Sequence, residues 1–297
     1  MNRPLRKVPP VVIAGLGGSG TRVLAQILIE AGFYMGADLN MEKDNLWFTL
    51  LLKRPFWDFQ NPAIHNRMAR RGLEIFFRAM TGGGIPTPAQ ALFLRGMERH
   101  VSTVGTNHRG DGKGSWASEH AATLRAARPA DVAGFTRWGW KEPNAHIYLP
   151  QIMERFPEMR YVHLIRHGLD LSCSKNQQQL HHWGALFDVA PEPDPVLAPR
   201  ASLAYWVRAN RRALEIGHTL GDRFLWMSFD KLCETPRPHV EKLLDFLNVQ
   251  VSPAQLDKLA AIPTVQQTKD RYLSKDASIF DPADIACVRE LGFEVKF

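Results

Sequence analysis

The sequence predicts an α/β protein in three layers, with helices on both faces of a central, mostly parallel sheet. Short apolar runs at 11–15 (VVIAG), 161–165 (YVHLI) and 224–227 (FLWM) have the length and composition of buried strands. Segments with apolar residues at helical spacing lie between them, and strands that alternate with helices build parallel sheets covered on both sides. The 297 residues are 45% hydrophobic and 23% charged, with 22 Gly and 20 Pro, so the chain as a whole is neither disordered, collagenous nor a coiled coil. A single domain spanning 1–297 is expected.

Taken in order, Pro9 and Pro10 lead into the first strand, which enters a glycine cluster. TRVLAQILIEAG follows, with Val23, Leu24, Ile27 and Leu28 on one helical face and Gly32 as its stop. A helical stretch at 147–156, ended by Pro157, feeds the second strand. A long helix at 201–220 feeds the third. The region 82–114 is richer in Gly, Pro and Thr, and TNHRGDGKGS at 106–115 reads as a mobile loop, serving either as a lid or as a surface excursion. There is no internal repeat.

Lys and Arg total 37 against 30 Asp and Glu, a formal charge of +7, which favours anionic partners. The basic residues are scattered, and the dense tracts at 3–7 and 67–71 are too short for a nucleic-acid arm, so no nucleic-acid partner is expected. Cys173, Cys233 and Cys287 are odd in number and far apart, which argues against a disulfide framework or a zinc knuckle and for a reducing compartment. The apolar run at 11–14 is too short for a signal peptide or a membrane span. We expect a cytoplasmic protein without a transmembrane segment; the oligomeric state is not legible.

Gly15, Leu16, Gly17, Gly18, Ser19, Gly20, Thr21 and Arg22 stand between a strand and a helix, where backbone N–H groups and a helix N-terminus converge on an anion. Phosphate binding is therefore expected there. Gly15, Gly17 and Gly20 also satisfy the GxGxxG dinucleotide pattern, with Asp38 downstream as a ribose acid, so a Rossmann-type NAD(P)-dependent oxidoreductase is one reading. A nucleoside-triphosphate loop needs Lys after Gly20 and then Ser or Thr; Thr21 and Arg22 stand there instead, which argues against a kinase or ATPase.

A second constellation, Arg166, Asp170 and Ser174, follows the strand at 161–165, and helical periodicity allows all three to face one side. Arg offers a fork to a phosphate and Ser a hydroxyl, while Asp170 reads as a first-turn cap or an orienter of Arg166. This makes a second phosphate site on the same sheet edge.

The loop GxxxSGTR after the first strand and RxGxDxxxS after a later one resemble the 5′-phosphosulfate loop and the 3′-phosphate motif of sulfotransferases that use 3′-phosphoadenosine 5′-phosphosulfate (PAPS). Trp140, Lys141, Glu142 and Pro143 resemble the family's Lys-x-Pro stretch, and 226–232 its Tyr-Glu-Asp-Leu region. The similarity runs in order over 11–248, with 50–130 unassigned. It implies a P-loop-like strand-loop-helix at the N-terminus, a PAPS donor held by Gly17, Gly18, Ser19, Gly20, Thr21, Arg22, Arg166, Ser174 and Arg271, and no metal. It further implies sulfuryl transfer to a hydroxyl or amine of an acceptor, a carbohydrate among the candidates, with an acceptor-binding or lid insertion around 40–130.

Many family members carry Lys or Arg where this chain has Gly18, so the resemblance assigns the catalytic cation to Arg22 and Lys141. By analogy the general base is Glu42, flanked by Asp38 and Asp44, although these acids also read as caps of a helix at 46–52. Other branches use histidine, which keeps His108, His181 and His182 as alternatives. Adjacent histidines point apart on a helix and lack metal-ligand spacing. The absent loop cation also admits a catalytically inactive nucleotide-binding protein of the same fold.

Overall fold

A computed structural model of the chain describes residues 4–53, 62–83, 87–104, 115–264 and 268–297. Four strands, β1 (Val11–Gly15), β2 (Gly139–Lys141), β3 (Arg160–Ile165) and β4 (Phe224–Ser228), form a parallel sheet in the order β2-β1-β3-β4. The helices are α1 (Thr21–Glu30), α2 (Leu46–Leu52), α3 (Pro62–Met80), α4 (Pro88–Val104), α5 (Ser115–Arg125), α6 (Leu149–Arg155), α7 (Gly168–Ser172), α8 (Gln178–Trp183), α9 (Ala198–His218), α10 (Phe229–Glu234), α11 (Pro236–Phe246), α12 (Pro253–Ala260) and α13 (Pro282–Glu290). The chain groups into two compact units, Met1–Ile13 with Leu24–Arg160 and Ala14–Val23 with Tyr161–Phe297.

In the first unit β1 and β2 pair with Val11 opposite Gly139, Val12 opposite Trp140 and Ile13 opposite Lys141. Val12 and Ile13 are wholly buried, as expected of a strand covered on both faces. An aromatic cluster fills the space beside β2: Phe76 meets Trp140 edge-on at 5.0 Å, Phe48 meets Phe76 at 5.4 Å and Trp138 lies 6.0 Å from Trp140. Buried amphipathic ends still find partners, Trp138 Nε1 donating to the Val8 carbonyl and the Tyr148 hydroxyl to that of Leu52.

In the second unit β3 and β4 run in register from Tyr161 opposite Phe224 to Ile165 opposite Ser228. Helix α9 buries Leu203, Trp206, Val207, Asn210, Ala213 and Gly217, the 3-and-4 spacing of one helical face. A polar chain is threaded through this apolar contact. The Tyr161 hydroxyl donates to His163 Nδ1 (2.6 Å), His163 Nε2–H to Asn210 Oδ1 (2.9 Å), Asn210 Nδ2 to the Trp206 carbonyl (2.8 Å) and Trp206 Nε1 to the Arg166 carbonyl (3.1 Å). Each buried polar atom in it is used once in its proper sense, which fixes His163 as the neutral tautomer.

The strands expected at 11–15, 161–165 and 224–227 are β1, β3 and β4, and the expected helices are α1, α6 and α9. Strand β2 was not foreseen, because three residues carry no readable period. Within 82–114, residues 88–104 form α4, which buries Leu94, Met97 and Val101. Residues 106–114 of the expected mobile loop lie outside the described residues. Among the described residues, no helix is long and apolar enough to cross a membrane.

Burial pulls the His163 imidazole down to about 4 from an ordinary 6.5. Between these values the unfolded chain takes up a proton that the folded chain refuses, so this contribution is complete above pH 6.5 and is lost as pH falls toward 4, by roughly 3 kcal/mol. Glu142, pushed up to about 7, works in the opposite sense, losing stability as pH rises from 4.5 to 7. The comparison of wild type with His163→Gln isolates the first effect: in urea denaturation the variant is less stable at pH 7.5 and shows a shallower loss between pH 6.5 and 4.5. Parallel pH dependences of the two proteins would count against this account.

Candidate functional site

The glycine loop belongs to the second unit. Gly18 and Gly20 have φ of 89° and 80°, backbone that side-chain-bearing residues rarely adopt. A Cβ on Gly20 would lie 2.4 Å from the Phe229 ring, and one on Gly18 2.9 Å from Leu171 Cδ1. The backbone conformation thus disfavours any side chain, a cation included, at position 18. Ser19 and Thr21 are buried and Arg22 is exposed; α1 begins at Thr21, leaving its first-turn amides without intrahelical acceptors. The Gly17 N–H donates to Gln179 Oε1 at 2.8 Å, a partner 162 residues away that no sequence signal announces.

Arg166 follows β3 directly and is 7% exposed. Its Nη1 donates to the Gly18 carbonyl (3.2 Å) and its Nη2 to Thr268 Oγ1 (2.5 Å), while the buried Nε has no partner among the described residues. Burial first, and the Arg271 guanidinium second, pull its pKa below the ordinary arginine range; Asp230 and Asp170 oppose this only in part. Arg271, half-buried, is held by a bond from its Nε to the Thr268 carbonyl (3.2 Å). Two guanidiniums that repel one another across a buried space form the electrostatic complement of a dianion.

Asp170 neither caps α7 nor hydrogen-bonds Arg166, contrary to the expectation. Its carboxylate accepts the N–H groups of Asp270 (3.0 Å) and Tyr272 (3.5 Å), and Lys296 clamps Asp270 in turn (2.7 Å). The carboxylate therefore fixes the segment that carries Arg271. Ser174 also departs from expectation: α7 ends at Ser172, so Arg166 and Ser174 flank the helix instead of sharing a face of it. The Ser174 hydroxyl accepts the Asn176 N–H at 3.3 Å.

The first unit gathers the remaining candidates. Lys141 ends β2 with its side chain 3% exposed, donating to the Glu42 carbonyl (2.9 Å) and to the Asp44 carboxylate. Glu142 beside it is fully buried and accepts both the N–H and the Nδ2 of Asn144 (2.6 and 2.8 Å); burial and the Asp44 charge raise its pKa to about 7. Glu42 contributes its carbonyl here, while its side chain is exposed. None of the three acids caps α2: Asn45 does, accepting the Phe48 N–H at 3.1 Å.

Asp38 is occupied otherwise. Its Oδ2 lies 2.8 Å from His120 Nδ1 and accepts the Thr123 hydroxyl, which itself accepts from Trp47 Nε1 (2.9 Å). Trp116 packs against the His120 ring at 4.4 Å. This Asp-His pair, which spans 82 residues of sequence, was not among the sequence candidates. It also engages the acid that a dinucleotide site would need. His108 lies outside the described residues; on α8 His181 is exposed and His182 buried, so the adjacent rings do diverge.

A model of the sulfotransferase family matches residues 9–253. Among solved structures the chain is similar to the sulfotransferase domain of the Synechococcus PCC 7002 olefin synthase (16% identity, 97% of this chain and 96% of that one, TM-score 0.45). It is also similar to the sulfotransferase domain from the curacin biosynthetic pathway (14%, 97% and 99%, 0.48) and to sulfotransferase STF9 from Mycobacterium avium (13%, 95% and 74%, 0.47). No curated protein matches the sequence. The family match takes in the glycine loop, Lys141 and the Arg166 motif alike, and by it the chain belongs to the sulfotransferase family.

Proposed function

We propose that the chain transfers a sulfuryl group from PAPS to a hydroxyl of an acceptor. The observation that carries this reading is Arg166: buried, repelled by Arg271, and with Nε unpartnered among the described residues. A 3′-phosphate dianion supplies the missing acceptor oxygens and charge. Arg166, Arg271 and Ser174 are assigned to that phosphate, and the amides of Gly18, Gly20, Thr21 and Arg22 with the hydroxyls of Ser19 and Thr21 to the 5′ end, where Arg22 adds charge. When bound, the donor offers sulfur whose bond to the 5′-phosphate oxygen breaks as the acceptor oxygen bonds to it, the acceptor proton passing to a base.

Within this scheme Asp44 positions the Lys141 ammonium, and Lys141 with Arg22 stands in for the cation that position 18 lacks. For the base we assign His120 in preference to Glu42. Asp38 holds His120 Nδ1, which leaves Nε2 as the proton acceptor. Residues 40–130, which hold Glu42, Asp44 and His120 and follow directly on Asp38, are assigned to acceptor handling within a chain that works as one domain.

Calorimetry tests the donor site. Adenosine 3′,5′-bisphosphate should bind about 100-fold more tightly than adenosine 5′-monophosphate, with Arg166→Ala erasing most of that difference. Equal affinity for the two nucleotides, or binding of NAD alone, refutes the assignment. In acceptor assays His120→Gln should lower kcat by about 10²–10⁴ with the bisphosphate Kd within about twofold, whereas Glu42→Gln keeps most of the rate. The reverse ranking returns the role to Glu42, and no turnover by wild type with any acceptor favours an inactive binding protein. Gly18→Lys should not raise kcat and should cost about 1–2 kcal/mol in stability, read from urea denaturation.

A further inference from the structure

Arg166 and Arg271 repel one another, so a fold that keeps both at one site must hold them there through other contacts. Asp170 supplies one restraint through the amides of Asp270 and Tyr272. Arg271 also follows a residue in an uncommon conformation: Asp270 has φ of 60° and ψ of 19°, in the left-handed region. A residue with a Cβ is seldom kept there unless its surroundings fix it, and such fixed positions gather at ligand clamps.

Residues 293–297 supply a second restraint. They follow α13 and form no helix or strand, so side chains and single backbone bonds hold them. Phe293 is buried and meets the His167 ring edge-on at 5.3 Å and the Trp206 ring at 6.2 Å. His167 is the residue directly after Arg166, and its Nε2–H donates to the Glu294 carbonyl (2.8 Å). Further along, the Lys296 N–H donates to the Tyr272 hydroxyl (3.1 Å), Lys296 Nζ pairs with the Asp270 carboxylate (2.7 Å) and Phe297 stands edge-on to the Tyr272 ring at 5.2 Å. The His167 and Tyr272 rings stack at 5.0 Å, which closes the circuit. One short segment thus grips the neighbour of Arg166 and both neighbours of Arg271.

We propose that residues 293–297 are a strap that sets the two guanidiniums at the spacing the 3′-phosphate requires, with Lys296 and Phe297 as positioning residues that act through Asp270 and Tyr272. The proposal rests on the PAPS reading of the donor site. It goes beyond that reading by placing part of the affinity for the 3′-phosphate in a segment assigned none of its ligands. Linkage makes the effect reciprocal: a dianion that draws Arg271 toward Arg166 steadies the strap, and a loosened strap weakens 3′-phosphate binding by the same factor. A nucleotide without that phosphate is indifferent to the strap.

The test is calorimetry on the full chain, comparing adenosine 3′,5′-bisphosphate with adenosine 5′-monophosphate in wild type, Lys296→Ala, Lys296→Arg and Phe297→Ala. The preference for the bisphosphate should fall about threefold in Lys296→Ala and about tenfold in Phe297→Ala, with the monophosphate Kd within about twofold of wild type and Lys296→Arg restoring the preference. Hydrogen exchange on the wild-type chain, followed by NMR, adds a readout that needs no variant: the Lys296 amide should exchange about tenfold more slowly with the bisphosphate bound and within about twofold of the free rate with the monophosphate. A preference that survives Phe297→Ala, or a Lys296 amide unmoved by the bisphosphate, overturns the strap while leaving the donor site intact. Equal weakening of both nucleotides also overturns it, because that is the mark of a general structural role. Equal affinity of wild type for the two nucleotides refutes the donor reading itself, and the strap falls with it.

Discussion

A buried guanidinium, that of Arg166, with no ion pair among the described residues sets the terms for the second unit. Taking a guanidinium out of water is costly unless hydrogen bonds and opposite charge replace the solvent. Around Arg166 the chain supplies two acceptors, the Gly18 carbonyl and Thr268 Oγ1, and then brings up another guanidinium. The acids within reach are engaged elsewhere, Asp170 with the amides of 270 and 272 and Asp230 with the His167 N–H at 3.0 Å. The result holds a positive site open instead of closing an ion pair. The chain from Tyr161 through His163, Asn210 and Trp206 to the Arg166 carbonyl anchors this costly residue to the β3–α9 core, which gives a physical reason for a polar thread through an otherwise apolar contact.

The glycine loop offers positive potential in a different way. Positive φ at Gly18 and Gly20 lets the backbone crowd Leu171 and Phe229 with no side chain intervening. That closeness leaves N–H groups as the loop's main donors and makes a lysine at position 18 strained. A loop built this way binds through fixed dipoles, which need little reorganisation when charge develops.

The first unit treats buried charge in the opposite manner. Lys141 and Lys53 are buried with Asp44 and Glu142, so cations and acids stand in equal number, and the pKa of Glu142 rises to about 7 with its carboxylate bound to Asn144. Breaking one member of such a set leaves another uncompensated, which costs more than the pairing itself contributes. Paired charge of this kind fixes the loop that carries Asp38 and Glu42, since Lys141 grips both Asp44 and the Glu42 carbonyl. Unpaired charge around Arg166 suits a ligand.

Local physics explains which parts of this arrangement were legible in the sequence. The loop and Arg166 are legible because glycines at a strand-helix junction and a guanidinium at a strand end are anion-binding signals in their own right, whereas Arg271 entered only through the family resemblance. The strands β1, β3 and β4 were legible as apolar runs, whereas β2 was too short to carry a period. Ser174 was misplaced because periodicity was extended past the end of α7 at Ser172, and Asp170 was misread because a carboxylate near an arginine suggests a pair more readily than a latch for a segment 100 residues on. His120 was missed for the same reason as Gln179: each is defined by a single long-range hydrogen bond, to Asp38 and to Gly17, and such bonds leave no spacing behind. What sequence conveys is the chemistry repeated along the chain; what it withholds is the chemistry made by a fold bringing one atom to another.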